Sequence, residues 1–200
     1  STNGPAIPRE AEGRTSWRAS VDSEIDHLGW REATRVEQPG DDVAIYAIDV
    51  LPAEDLVSEM EGPATFSLSI FLDGAGTMAI EGAKPLRIQP GMAIFFACDR
   101  VTRGVNRIDA GRRLSFLDIR LEKPLLEKLG GISLARLGGA VITEHSVPDQ
   151  DVFMIGFTAP PELLAIVTGI LHCRRGDDPA RRAYLYSKAI EAVSIGLDAV

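Results

Sequence analysis

The chain has 200 residues, 45% of them hydrophobic and 25% charged, a balance that suits one folded domain with or without an appendage. It excludes two full-sized domains and wholesale disorder. The formal charge of −8 repels phosphate, so the residues present are expected not to bind DNA by themselves.

No apolar run approaches the roughly 18 residues of a membrane span, and the opening STNGPAIPREAEGR has no hydrophobic signal core. A cytoplasmic address without membrane contact is therefore expected. The acidic excess is uneven, with 14 acidic and 5 basic side chains in residues 1–62. Cys98 and Cys173 belong to no paired-cysteine motif and are expected to be reduced thiols.

In chain order, residues 1–16 read as a flexible lead-in, rich in Pro, Gly, Ser and charge. Short β-type runs follow: Val43–Val50, then Thr65–Leu72 closed by Asp73-Gly74-Ala75-Gly76, a hairpin signal. Thr77–Ile80, Pro85–Ile88 and Met92–Phe96 continue the series, with Glu81-Gly82 and Gln89-Pro90-Gly91 as turns. Arg113–Leu121 alternates, Leu114, Phe116 and Asp118 facing one way and Ser115, Leu117 and Ile119 the other. Strands at this spacing, with Gly-containing turns between them, describe a sandwich or barrel.

The texture changes at residue 122. Glu122–Leu129 reads as a short helix ended by Gly130-Gly131, while residues 132–158 stay open between helix and strand. Pro161 opens a helix striped by Leu163, Ile166, Val167, Ile170 and Leu171. Asp178 as N-cap and Pro179 at the first helical position open the last one. In it Tyr186, Ile190, Val193 and Leu197 recur at helical spacing, a stripe for core packing or for a helix-pair dimer interface. The helical register runs to Val200 without a stop signal, which suggests a following domain. The expected organisation is thus a lead-in (1–16), a β-barrel (17–121) and a helical subdomain (122–200).

Phe71–Gly82 followed by Leu86–Phe96 resembles the cupin family, in which a strand reaches a Gly-x-Gly hairpin, then a Pro-Gly turn, then a strand across the barrel mouth. The resemblance implies a double-stranded β-helix, or jelly-roll, barrel. The positions that carry metal ligands in cupin enzymes fall on Ser67 and Thr102, and Asn106 matches the motif's trailing asparagine. Neutral hydroxyls are weak ligands, and His27, His145 and His172 are scattered, so no metal and no cofactor is expected.

Asp178–Ala192 resembles the segment that closes the sensor domain of AraC-type transcription regulators, in particular the siderophore-responsive, pyochelin-regulator branch. Together the resemblances imply an effector-sensing domain that is not an enzyme, with homodimerisation left open and a small-molecule effector of which an iron–siderophore complex is one option. DNA would be met only through a domain outside this chain. The expected effector-binding residues are Ser67, Ser69, Phe71, Thr102, Arg103 and Phe116. Ser67, Ser69 and Phe71 share a face that the cupin register turns inward, leaving Phe66, Leu68, Ile70 and Leu72 to be covered by the terminal helices.

Arg100, Arg103, Arg107, Arg112 and Arg113 form either a solvated hairpin or an anion-recognising rim. Two other readings remain open at this point. A metal-independent cupin enzyme of the epimerase or isomerase type would need a general base, for which Asp118 is the candidate. A plain interaction domain would have a filled barrel.

Overall fold

Alternation along each strand settles how the layers are built. The structure, a computed structural model, describes residues 17–62, 65–98, 100–122, 125 and 143–200. Among the described residues ten strands form two antiparallel sheets: β1 Thr34–Gly40, β2 Val43–Val50, β3 Leu56–Gly62, β4 Thr65–Asp73, β5 Gly76–Ile80, β6 Leu86–Ile88, β7 Met92–Cys98, β8 Thr102–Ile108, β9 Leu114–Leu121 and β10 Val152–Thr158. The larger sheet has the order β1-β2-β9-β4-β7-β10 and the smaller β3-β8-β5-β6. Successive strands from β2 to β5 and from β6 to β9 cross between the sheets, the winding of a cupin-type double-stranded β-helix. Among the described residues three α-helices accompany them: α1 Trp17–His27, α2 Pro161–Leu171 and α3 Pro179–Asp198. Among the described residues no helix is long and apolar enough to cross a membrane.

The larger sheet is buried on both faces, by different partners. On the outer face Phe66, Leu68 and Ile70, each 2% exposed or less, pack with Leu163, Val167 and Ala189 of the two C-terminal helices. The expected helical cover of this face is present for these three residues. It fails for Leu72, which is 36% exposed beside Leu171 and His172, where α2 ends. Gly196 lets α3 approach closely, since a Cβ there would sit 2.8 Å from the Phe95 ring. Tyr186, Ile190 and Leu197 pack against the same core and Val193 is 2% exposed, so the stripe serves intramolecular packing.

The helix starts follow their sequence signals. Asp178 caps α3, its carboxylate accepting from the Arg181 amide at 2.8 Å, and Pro161 and Pro179 sit in first turns, where the missing N–H costs nothing.

Two elements depart from the sequence reading. β10 comes from the segment assigned to the helical subdomain, yet it pairs with β7 along its whole length from Val152–Cys98 to Thr158–Met92. The boundary at 121/122 is therefore crossed by a strand: Val152 and Met154 face the interior while Ile155 and Phe157 join the helix-side core. The second departure is α1, inside the stretch assigned to strands. Its Trp17, Val21 and Ile25 form a four-residue-spaced stripe, 5%, 8% and 3% exposed, laid over the open side of the barrel. Each such side chain contributes roughly 1.5–3 kcal/mol on burial, before its ordering entropy, which anchors a helix that is otherwise polar. The lead-in 1–16, all of the helix expected over 122–129 but Glu122 and Leu125, and residues 130–142 lie outside the described residues.

Candidate functional site

The space between the sheets is not filled. Two adjoining cavities of about 110 and 120 Å³ run through it, and six residues border both: Val21, Met60, Ser69, Met78, Asn106 and Arg120. For comparison, an apolar void of roughly 150 Å³ accepts benzene. The smaller sheet supplies Met60, Met78 and Asn106, the larger Ser69 and Arg120, and α1 forms the remaining wall.

The first cavity is bordered by Ser67, Thr102 and Arg103, with Ser69 at the junction. Phe71 and Phe116 border the second, stacked on each other at 5.0 Å between centroids and 21° between planes. All six expected effector-binding residues thus border one or both of these adjoining cavities, in unequal ways. Ser67 and Ser69 are buried, and the Ser69 hydroxyl donates to Asp118 Oδ1 at 2.8 Å. Thr102 donates to the Arg100 carbonyl at 3.2 Å, a turn contact. Arg103 spends its guanidinium on Glu61 at 2.5 Å and is 68% exposed, so it marks the rim.

The arginine-rich hairpin favours the solvated reading. Arg100 pairs with Asp151, Arg112 with Asp73 and Arg113 with Asp49, all at the surface. Arg113 holds the Asp49 carboxyl below the usual aspartate range by hydrogen bonding to it. Arg107 falls on the odd-numbered, outward side of β8 with Arg103, opposite Asn106 and Ile108.

The residue missed in the sequence is Arg120. It continues the inward row Phe116, Asp118, and its Nε donates to Asp118 Oδ2 at 2.8 Å while Nη1 donates to Thr65 Oγ1 at 3.2 Å. Its guanidinium lies 5.6 Å from the Trp17 ring centre, a cation–π contact that ties α1 to the barrel interior. Two further bonds hold α1 down: Trp17 Nε1 donates to Glu122 at 2.7 Å, and the Ser58 hydroxyl donates to Glu24. Tyr46 also borders the second cavity. Burial pushes its phenol up to about 12.

The donor set does not suit a metal. Among the described residues no group of three or more His, Cys, Asp or Glu converges. His145 and His172 hold backbone carbonyls, of Lys84 and Thr168, through Nδ1. Asp118 already accepts from Ser69 and Arg120, leaving it poorly placed to remove a proton. Hydroxyls, one carboxamide, a fixed ion pair and stacked rings are the equipment of a binding pocket.

A family model described as the regulatory protein PchR N-terminal domain matches residues 28–200. No curated protein is matched by the chain. Among solved structures, ToxT from Vibrio cholerae with unsaturated fatty acid bound is 6% identical at a TM-score of 0.49, over 82% of this chain and 57% of that one. A cupin protein from Bacteroides fragilis is 13% identical at 0.39, over 50% and 80% of the two chains. An RmlC-like cupin with a double-stranded β-helix fold from Methanocaldococcus jannaschii is 17% identical at 0.34, over 49% and 86%. The chain spans little more than half the length of the ToxT chain.

Proposed function

The chain belongs to the PchR N-terminal regulatory domain family, and on that premise we infer that it is the effector-sensing domain of an AraC-type transcription regulator, with a small molecule held in a metal-free barrel. The observation that carries the reading is the unfilled interior, where Ser69, Asn106 and Arg120 stand at the junction of two cavities. It also speaks against a plain interaction domain with a plugged barrel.

The mechanism is linkage. A ligand enclosed between the sheets and α1 binds more tightly when α1 is seated, and so stabilises one arrangement of the domain over the other. Output on DNA passes through a domain other than this one. A ferric siderophore is the effector class the family suggests. Such a chelate carries its own metal ligands and needs from the protein only shape, rings and hydrogen bonds.

A thermal-shift screen of the 200-residue chain against ferric and metal-free siderophores, sugars and aromatic acids tests the reading. A ligand at a hundred times its Kd stabilises by about 2.7 kcal/mol, a shift of several degrees. Turnover of any screened compound would overturn the sensor reading in favour of a metal-independent cupin isomerase, whose general base would have to be Asp118.

A further inference from the structure

Resting on the sensor reading, we propose that the barrel takes an organic monoanion with an aromatic or otherwise apolar body, its anionic group at the Arg120 end of the first cavity and its body against Phe71 and Phe116 in the second. The two cavities differ in charge. Carboxylates, those of Glu24 and Asp118, border only the second; the acidic side chains of the described residues are absent from the border of the first. The first carries instead the Arg120 guanidinium, the hydroxyls of Thr65, Ser67 and Thr102, and the Asn106 carboxamide.

Arg120 is the cation that matters. Only 16% of its side chain is exposed, against 68% for Arg103, whose guanidinium is held outside by Glu61. Asp118 fixes Arg120 from the Nε side, so its Nη edge points to Thr65 and the first cavity. A carboxylate there replaces a neutral hydroxyl acceptor by a charged one, in a site where screening by water is weak. α1 runs the same way, with Trp17 and Ser20 of its first turns at the first cavity and Ile25 and Leu28 at the second. Its dipole therefore adds positive potential at the Arg120 end.

The second cavity supplies the complement. Besides the stacked Phe71 and Phe116, it is walled by Trp30, Tyr46 and Leu114, an aromatic-rich surface for a flat apolar group. The Asp118 and Glu24 carboxylates lie on this side, so a second anionic group on the ligand would be repelled. One charge is accepted, at one end.

The test compares 2-naphthoate with its neutral isostere 2-naphthamide on the 200-residue chain, by protein-observed NMR titration with the Trp17 indole resonance as the position marker. The acid should bind at least about tenfold tighter than the amide and shift Trp17, as a charge-assisted bond to a guanidinium implies. In the neutral pair variant D118N/R120Q, checked for folding by circular dichroism, that preference should fall to about twofold or less. If the acid and amide bind alike, or if the folded double variant keeps the preference, the monoanion assignment is overturned while the sensor reading stands. If neither binds but a sugar or ferric chelate from the broader screen does, the ligand class is likewise wrong and the sensor reading survives. Silence across both panels overturns both. The wild-type acid-to-amide ratio decides the matter even if the double variant does not fold.

Discussion

Asp118 and Arg120 stand two residues apart on β9, and their side chains meet inside the barrel, Oδ2 to Nε at 2.8 Å, with 8% and 16% of each exposed. Strand geometry puts both on the inward face, and Ser69 on the adjacent β4, paired with Asp118 in the ladder, closes the third side of the network. Desolvation offsets much of the attraction in such a pair, but removing one partner strands the other. D118A should therefore lower stability by about 3 kcal/mol, whereas D118N/R120Q should cost roughly 1–2 kcal/mol, since hydrogen bonding remains. Urea unfolding at unchanged slope reads the difference. Equal losses in the two variants would mean that the ion pair is not what Asp118 is there for.

Gly76 begins β5 at φ +145°, where a Cβ would lie 2.0 Å from the Arg107 carbonyl oxygen of β8. Gly111, at φ +73°, has nothing within 4 Å of the same added atom. G76A should cost about 3 kcal/mol or more, because backbone of a neighbouring strand cannot give way as a side chain can. G111A should cost only about 1 kcal/mol, the penalty of the left-handed conformation alone. Paired thermal melts of the two variants separate crowding from conformation.

The β-barrel and its inward face were legible because strand period and Gly turns are local signals. Ser67, Ser69 and Phe71 fall on one side of β4 by alternation alone, and the opposite row of Phe66, Leu68 and Ile70 demanded the helical cover that α2 and α3 provide. β10 was not legible as a barrel strand, because its partner β7 lies more than fifty residues away and nothing local names it. α1 escaped for another reason: only Trp17, Val21 and Ile25 of its eleven residues are buried, too sparse a stripe among charges to stand out. Arg120 was within reach of the alternation that placed Phe116 and Asp118. A long cation on an inward face reads as an error until Asp118, Thr65 and Trp17 are seen to surround it.

Tyr46 is 2% exposed, and burial raises its phenol from 10.0 to about 12. In the unfolded chain it loses its proton near its ordinary value, so between pH 10 and 12 the folded form binds more protons than the unfolded one. Stability that is full below pH 10 should thus decline as pH rises toward 12, and Y46F should flatten that decline. Burial and Asp42 also raise the Tyr186 phenol, so ultraviolet difference titration should show late-ionising tyrosine absorbance in the wild type that is reduced in Y46F. A Tyr46 that titrates with the free phenols would mean that water reaches the second cavity freely.

Arg181, in the first turns of α3, reaches across to Glu37 of β1 with both side chains largely buried, at 13% and 17% exposure. The same guanidinium donates to the carbonyl of Arg175 at 2.8 Å and of Cys173 at 3.1 Å, so one side chain fastens the α2–α3 turn, the start of α3 and the edge of the larger sheet. β1 is paired in turn with β2, whose Tyr46 and Ile48 border the second cavity, so this contact lies between the barrel interior and the helical layer. A double-mutant cycle on E37Q and R181Q should give a coupling of about 1–3 kcal/mol, well above that of an exposed pair and weakly sensitive to salt. Hydrogen exchange should locate the loss in α3 and the turn before it rather than in β4 or β9. A coupling below about 0.5 kcal/mol would leave apolar packing, the Tyr186–Asp42 bond and the bonds from Arg35 to the Ile170 and Leu171 carbonyls to hold the helices on the barrel.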